Sequence, residues 1–351
     1  MKIKTIGILG SGQLGRMIAI AAAEMGVRAH IFAPDAKNSP AAEIAHSVTQ
    51  ADYTDEAALK AFAAKIDCVT SEFENVPADA MRVLSDYFPA SPGLQALHIA
   101  QNRLREKDLA KSLNIQTPRY TAIRSANELN AALHELSGRA ILKTTELGYD
   151  GKGQFVLNSL DDIKQDWCFT NDYILEKKVD LKKEISVVIA RYADGTMTNY
   201  EPIENVHQNQ ILYKSKIPAD INDKIFKKAI SNAKKISEKF NYVGVLTVEY
   251  FITEKDELLV NELAPRFHNS GHLTIDAFNQ SQFSLHVSCV CNLGSKPIGK
   301  ISNAEMYNIL GSEILEYRKK TFKKNEFFYD YLKKEPRQGR KMGHLTILKK
   351  D

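Results

Sequence analysis

The chain is predicted to combine α/β and α+β architecture: a parallel α/β unit first, then a larger central region, then a small mixed C-terminal region. Three observations carry this. Residues 3–9 (IKTIGIL) form an apolar run that passes at once into Gly10-Ser11-Gly12-Gln13-Leu14-Gly15, and Arg16–Met25 then reads as an Ala-rich helix stopped at Gly26. From Ala90-Ser91-Pro92-Gly93 onward the rhythm changes, and short apolar strands carry single charged residues. Near the middle of the C-terminal half, Val243–Phe251 and Glu257–Leu263 are rich in β-branched and aromatic residues, with polar Thr253–Asp256 between them, the pattern of an antiparallel hairpin.

In the N-terminal unit, Ala29–Ala33 is a second strand with Asp35 just beyond it, which completes a βαβ motif around G-x-G-x-x-G. Asp55–Lys65 reads as a helix, Cys68–Ser71 as a strand and Pro77–Asp86 as a helix, so the first ~90 residues form a parallel sheet flanked by helices. A nicotinamide-dependent oxidoreductase is one reading of the glycines, with Asp35 as its ribose acid. Structural use of the glycines, or binding of another nucleotide-like substrate, is the competing one. Glu72-Phe73-Glu74-Asn75 follows a strand at the carboxyl edge where open α/β sheets bind ligands. Glu72 and Glu74 could hold a ribose or an amine there, while Glu74 and Asn75 read better as caps of the next helix.

Leu94–Leu113 reads as one helix, interrupted afterwards by Pro118, and Ala140–Thr144 is a short strand carrying Lys143. Glu146–Gln154 then brings three glycines, Gly148, Gly151 and Gly153, together with Lys152. Such a loop can wrap phosphates through backbone N–H groups, although it lacks the order of a P-loop and could be a plain hairpin turn. Asp172–Glu176 is a strand left by Glu176-Lys177-Lys178-Val179, Glu184–Arg191 is another with Asp194-Gly195 as its turn, and Glu201–His207 leads through a linker to an amphipathic helix over Asn222–Phe240. An acid at the end of an apolar strand, followed by an apolar residue, can pin an adenosine between side chain and backbone.

Each strand of the hairpin carries one acid among apolar neighbours, Glu249 and Glu262, and Asn261 adds an amide oxygen. Burying two ionised carboxylates implies a shared cation or basic partners. Oxygen ligands of this kind suit magnesium, which keeps waters and bridges to substrate phosphates. Solvated acids on a surface hairpin are the alternative. Arg266-Phe267-His268-Asn269-Ser270-Gly271-His272 follows with no helical or strand period, Leu273–Cys291 reads as a helix, and a mixed region runs from Pro297 to Asp351. Within it, Lys333–His344 is a basic Gly/Pro-containing stretch that could grip a phosphate or stand as a solvated tail.

The 351 residues allow two or three domains. A net charge of +4, from 47 basic and 43 acidic residues, is too small to argue for nucleic acid, none of which is expected as a partner, and it tolerates anionic substrates. Cys68, Cys168, Cys289 and Cys291 fit neither a secreted disulfide framework nor a zinc pattern and read as free thiols. MKIKTIGILG has no signal-peptide core, and no stretch has the ~18 uninterrupted apolar residues of a membrane span, so no membrane association is expected and the cytoplasm is the expected compartment.

Taken in order, the strand lysine, Gly-rich loop, E-K-x-V linker and paired hairpin acids resemble the ATP-grasp superfamily. GSGQLGRM (10–17), EFENVP (72–77), GYDGKGQ (148–154), NELAPRFHNSGH (261–272) and GRKMGHLT (339–346) are similar to the motifs of one of its families, the ATP-dependent 5-(carboxyamino)imidazole ribonucleotide synthases. The resemblance spans the chain. It implies a Rossmann-like pre-ATP-grasp domain over 1–95, a two-lobed ATP-grasp domain over 96–293 (lobes 96–172 and 173–293) and a C-terminal domain over 294–351. It also implies a ligase in which ATP, with Mg²⁺, phosphorylates bicarbonate to carboxyphosphate. The amine of 5-aminoimidazole ribonucleotide then takes the carboxyl group, a step of purine synthesis.

Carried over position by position, Arg103 and Lys143 contact ATP phosphates, and Gly148, Tyr149, Asp150, Gly151, Lys152, Gly153 and Gln154 form a lid. Glu176, Lys177, Lys178 and Val179 hold adenine, Glu184 the ribose, and His207 also belongs to the ATP site. Glu249, Glu262 and Asn261 bind the metal, Asn261 and Glu262 meeting ATP as well. Arg266, with His268 and Asn269, stabilises carboxyphosphate. Gly12, Gln13, Leu14, Glu72, Tyr149 and Asp150 face the imidazole ribonucleotide, and Lys333 and Arg340 its phosphate. The family's Tyr-Gly-Lys before the last basic loop appears here as Leu332-Lys333-Lys334 after Tyr331, leaving Lys334 as a competitor to Lys333. The resemblance further implies a homodimer. A formate-using ligase of the same superfamily and a non-catalytic nucleotide-binding protein are the other readings.

Overall fold

The structure is a computed structural model that describes residues 3–136, 139–146, 153–162 and 172–349. At the N-terminus, β1 (Thr5–Leu9), β2 (Arg28–Ala33), β3 (Ser47–Gln50), β4 (Cys68–Ser71) and β5 (Ala90–Ser91) form a parallel sheet in the order β3-β2-β1-β4-β5. Ile6, Ile8, Leu9, Ile31, Phe32 and Val69 are fully buried, as expected for central parallel strands covered on both faces. Helices α1 (Gln13–Glu24), α2 (Glu56–Ala63) and α3 (Ala78–Ser85) complete this unit. Helix α1 starts three residues earlier than its Ala-rich stretch indicates, because extended Gly12 serves as its N-cap.

The single helix expected over Leu94–Leu113 is two, α4 (Leu94–Ala100) and α5 (Arg103–Ser112). Asn102 between them is extended, and its side chain accepts hydrogen bonds from the Leu104 and Arg105 amides (3.0 and 3.2 Å). A residue that caps one helix cannot continue the previous one. Beyond it, β6 (Tyr120–Ile123), β7 (Ala140–Thr144), β8 (Gln154–Leu157) and β9 (Tyr173–Lys177) form an antiparallel sheet in the order β6-β9-β7-β8. Helix α6 (Ala126–Glu135), which the sequence reading passed over, covers it through Leu129 and Leu133.

The third sheet has nine strands among the described residues. It contains β10 (Leu181–Arg191), β11 (Met197–Asn199), β12 (Ile203–Gln208), β13 (Ile211–Ile217), β14 (Gly244–Thr253), β15 (Leu258–Ala264), β16 (Asn303–Leu310), β17 (Glu326–Asp330) and β18 (Lys341–Lys349). Its order is β15-β14-β10-β12-β13-β16-β18-β17, with β11 paired to β10. The segment read as a linker after His207 is therefore a strand, β13, and it is the one on which β16 pairs. Helix α7 (Asp223–Lys239) packs Ile225, Ala229, Ala233 and Ile236 against this sheet as the amphipathic pattern predicts.

Leu273–Cys291 is not one helix. A 3-10 turn over Asn269–Leu273 leads into α8 (Thr274–Ala277), the chain is extended at Phe278, and α9 (Gln282–Val290) restarts behind a Ser281 cap. The short α10 (Glu313–Tyr317) follows β16. Cys68, Cys289 and Cys291 are buried free thiols, and Cys168 lies outside the described residues. Among the described residues no helix is long and apolar enough to cross a membrane.

Candidate active site

The glycine turn after β1 is closed from within. Gly12 and Gly15 amides donate to the two carboxylate oxygens of Glu72 at 2.6 and 2.5 Å. A Cβ at Gly10, whose φ is +108°, would lie 2.3 Å from the Glu72 Cγ, so only glycine leaves room for this side chain. Ser11 Oγ donates to Asp35 at 2.7 Å and ties the proposed ribose acid to the same turn. In a dinucleotide-binding fold a pyrophosphate occupies these amides. Here a carboxylate already does, which removes the oxidoreductase reading. Burial pushes the Glu72 carboxyl upward, against the pull of those two amides.

Glu74 and Asn75 do not cap α3, which starts after Pro77 without a side-chain cap. Glu74 instead holds Arg266 through both carboxylate oxygens, one of them 3.0 Å from Nη2 and the other bonded to Nε. Burial alone would raise the Glu74 carboxyl, but the guanidinium outweighs it and keeps it low. The pairing links the first α/β unit to the loop after β15, and a planar fork of this kind fixes orientation as well as charge.

The β14–β15 hairpin carries the paired acids as expected. Their register slips between Val248↔Leu263 and Tyr250↔Val260, so Glu249 faces both Asn261 and Glu262 across a bulge. Glu249 lies 2.6 Å from His268 Nε2 and Glu262 3.1 Å from Arg103 Nη1. Burial would raise Glu249, yet His268 beside it holds the carboxyl below its ordinary range. Asn261 Oδ1 is buried without a hydrogen-bond partner among the described residues. Among the described residues no three His, Cys, Asp or Glu side chains gather as a metal cluster. Two carboxylates beside that amide oxygen are nevertheless hard oxygen donors of the kind that could hold a cation shared with phosphates.

Towards the second sheet, Lys143 on β7 and Lys107 on α5 both reach the Glu176 carboxylate, at 2.6 and 3.0 Å. Burial would raise Glu176, and the two ammonium groups bring it down to about 2. Glu184 on β10 meets His207 Nδ1 on β12 at 2.6 Å; burial lowers that imidazole and the carboxylate more than reverses it. Lys177 is exposed, and Lys178 and Val179 are half-buried. Gly148, Tyr149, Asp150, Gly151 and Lys152 lie outside the described residues. Gly153, with φ +72°, sits where a Cβ would be 2.7 Å from Thr144 Oγ1, so the end of this glycine loop is tied to β7.

A cleft of about 1050 Å³ joins these pieces. The first α/β unit contributes Gln13, Leu14 and Glu72, and the central region Arg103, Gln154, Glu184, His207, Glu249, Asn261, Glu262, Arg266, His268 and Asn269. Lys333 and Arg340 reach it from the C-terminal strands. Gly12, Lys143, Glu176, Lys177, Lys178 and Val179 are not on its wall. Leu332 adopts φ +56°, the left-handed region that favours glycine. Of the two competing lysines, Lys333 lines the cleft and Lys334 does not.

The sequence reading missed Glu106 and Lys107. Both are buried on α5, within four residues of Arg103, where helical spacing was the available signal. Glu106 accepts the Leu263 amide at 2.8 Å, and burial with the neighbouring Glu262 raises it to about 8.

Fold and cleft together define an ATP-grasp protein. A ribonucleotide synthetase preATP-grasp model matches residues 3–101, an ATP-grasp domain model 108–283, and a phosphoribosylaminoimidazole carboxylase C-terminal domain model 304–351. N5-carboxyaminoimidazole ribonucleotide synthase of Bacillus subtilis is 41% identical over 350 residues, covering 98% of this chain and 91% of the relative. A solved N5-carboxyaminoimidazole ribonucleotide synthetase in complex with ADP superposes with TM-score 0.93 at 39% identity, over 99% of this chain and 93% of that one. The Aspergillus clavatus enzyme in complex with ADP and 5-aminoimidazole ribonucleotide gives TM-score 0.89 at 27% identity, over 99% and 94%. The chain belongs to the N5-carboxyaminoimidazole ribonucleotide synthase family.

Proposed function

We propose that this protein is an ATP-dependent ligase that carboxylates 5-aminoimidazole ribonucleotide with bicarbonate, yielding N5-carboxyaminoimidazole ribonucleotide, ADP and phosphate in purine synthesis. The observation that carries this is the single cleft on which residues of all three regions converge, with Arg103 and the acid pair at one part and Lys333 and Arg340 at another. Relatives solved with ADP, and with ADP plus 5-aminoimidazole ribonucleotide, support the same pair of sites.

A bicarbonate oxygen attacks the γ-phosphorus, ADP leaves, and carboxyphosphate forms. The exocyclic amine then attacks the carboxyl carbon, phosphate departs, and the amine gives up a proton. Phosphoryl transfer of this kind asks the protein for positioning and charge neutralisation. Glu249, Glu262 and Asn261 would hold Mg²⁺, which neutralises the phosphates. Arg103, Lys143, His207, His268 and Arg266 are each paired with a carboxylate. With ATP and Mg²⁺ bound, the carboxylates would hold the cation and the cationic groups the phosphates, so few buried charges would be left alone. Arg266, oriented by Glu74, is placed to stabilise the carboxyphosphate, with His268 and Asn269 beside it. Gln13 and Leu14 face the imidazole, and Lys333 and Arg340 take the ribonucleotide's phosphate. We assign the protein to the cytoplasm, as a homodimer.

The test is ADP release with ATP, Mg²⁺ and bicarbonate, with and without 5-aminoimidazole ribonucleotide. Stimulation by the nucleotide that disappears when bicarbonate is removed is the expected result. ATP binding without stimulation would sink the substrate assignment and leave the ATP-grasp fold standing.

A further inference from the structure

Of the four cleft-lining side chains that follow β15, Arg266, His268, Asn269 and His272, Asn269 is held from the C-terminal strands. Its Nδ2 donates to Asn308 Oδ1 at 3.0 Å, and Asn308 Nδ2 donates back to Asn269 Oδ1 at 2.6 Å. Asn308 lies on β16 and is only 3% exposed. Its other amide hydrogen goes to the Leu212 carbonyl on β13 at 2.8 Å. Both donors and the acceptor of Asn308 are therefore engaged. Exchanging its oxygen and nitrogen would set like groups against Asn269 and an oxygen against a carbonyl, so one orientation is fixed. Cross-strand from Asn308 is His344, whose Nδ1 lies 2.9 Å from the Tyr331 hydroxyl.

We infer that Asn308 is a positioning residue for the carboxylation step: it holds the Asn269 amide, and with it the His268–Leu273 turn, against the cleft. This rests on the carboxylation reading above. It gives the C-terminal strands a role in transfer of the carboxyl group that is separate from any grip on the substrate phosphate. A misplacement of about 1 Å at such a loop costs on the order of 10²-fold in rate. The expected effect falls on the chemical step and spares the ATP lobe.

The experiment compares wild type with Asn308→Ala, Asn308→Thr, Asn269→Ala and the Asn269→Ala/Asn308→Ala pair. Threonine suits a strand and keeps a hydroxyl for the Leu212 carbonyl, so it stands in if alanine fails to fold. Expected for Asn308→Ala or Asn308→Thr is a kcat roughly 10–100-fold lower, with the KM for ATP, the Kd for ADP and the Tm close to wild type. The double variant should be no slower than Asn269→Ala, because residues acting as one unit are not additive. Unchanged kcat, a loss that tracks ADP affinity or Tm, or a double variant whose losses multiply would each overturn the inference. Wild type that shows no dependence on 5-aminoimidazole ribonucleotide would overturn the carboxylation reading itself, and this inference with it.

Discussion

Glu262 has two chemically distinct duties at one carboxylate. It accepts from Arg103, and in the proposed function it would also belong to the donor set for a cation. Glu262→Gln keeps an oxygen for Arg103 and removes the charge. The expected outcome is a folded protein, judged by Tm and circular dichroism, whose turnover falls by roughly 10²–10³-fold or more. Wild-type turnover in that variant would dismiss the metal assignment. Glu106, close by, makes a pH prediction. Folding raises this acid from 4.5 to about 8, so the folded state binds more protons than the unfolded one inside that window. Its contribution is fully present at low pH and is lost as pH climbs from 4.5 to about 8, by about 1.4 kcal/mol for each pH unit at most. Glu106→Gln retains an acceptor for the Leu263 amide and does not titrate. Its Tm should therefore gain on wild type between about pH 5 and pH 8, and a constant difference across that range would contradict the burial argument. Glu249 and Glu262 could be picked out as acids on apolar strands. That Glu249 would pair with His268 and Glu262 with Arg103 could not, since pairing across the fold leaves no local mark in the sequence.

Helix α5 shows how one polar side chain sets the geometry of an element. Asn102 ends α4, caps α5 and thereby makes Arg103 the first residue of a helix that faces the cleft. Asn102→Ala should cost about 1 kcal/mol of stability and raise the KM for ATP more than it lowers kcat, because Arg103 loses its fixed start. A variant with unchanged KM would mean that packing alone sets Arg103. The same residue explains why the break at 101–102 was missed: the apolar spacing runs through it, and capping is a hydrogen-bond property that spacing does not reveal. The bulge opposite Glu249 was equally invisible, since register is decided by pairing across strands. Strand β13 was missed because Ile211–Ile217 (ILYKSKI) mixes apolar and basic residues, and its partners on β12 and β16 supply what its own pattern lacks.

Across the whole molecule, the third sheet joins the ATP-grasp region to the C-terminal strands through the β13–β16 pairing, and the cleft draws walls from all three regions. Deleting residues 303–351 would bare the edge of β13 and remove Asn308, Lys333 and Arg340 together. The expected outcome is an aggregating fragment, since an unpaired edge strand is a template for other chains. A monomeric fragment that titrates with ADP, checked by gel filtration and calorimetry, would show that these strands are not needed to complete the fold.

Local order was within reach of the sequence alone. The βαβ start, the amphipathic α7, the acid-bearing hairpin and the basic Lys333–Arg340 stretch are each written in spacing and residue type, because periodicity and turn chemistry act over a few neighbours. The family resemblance rests on those same local motifs in order. Only the tertiary structure decided how the charges pair. It is there that Glu72 fills the glycine turn, Glu74 orients Arg266, Lys107 joins Lys143 on Glu176, and Asn308 locks Asn269. Each of these contacts spans distant parts of the chain, and burial gives it its strength, so neither partner carries a local mark of the other.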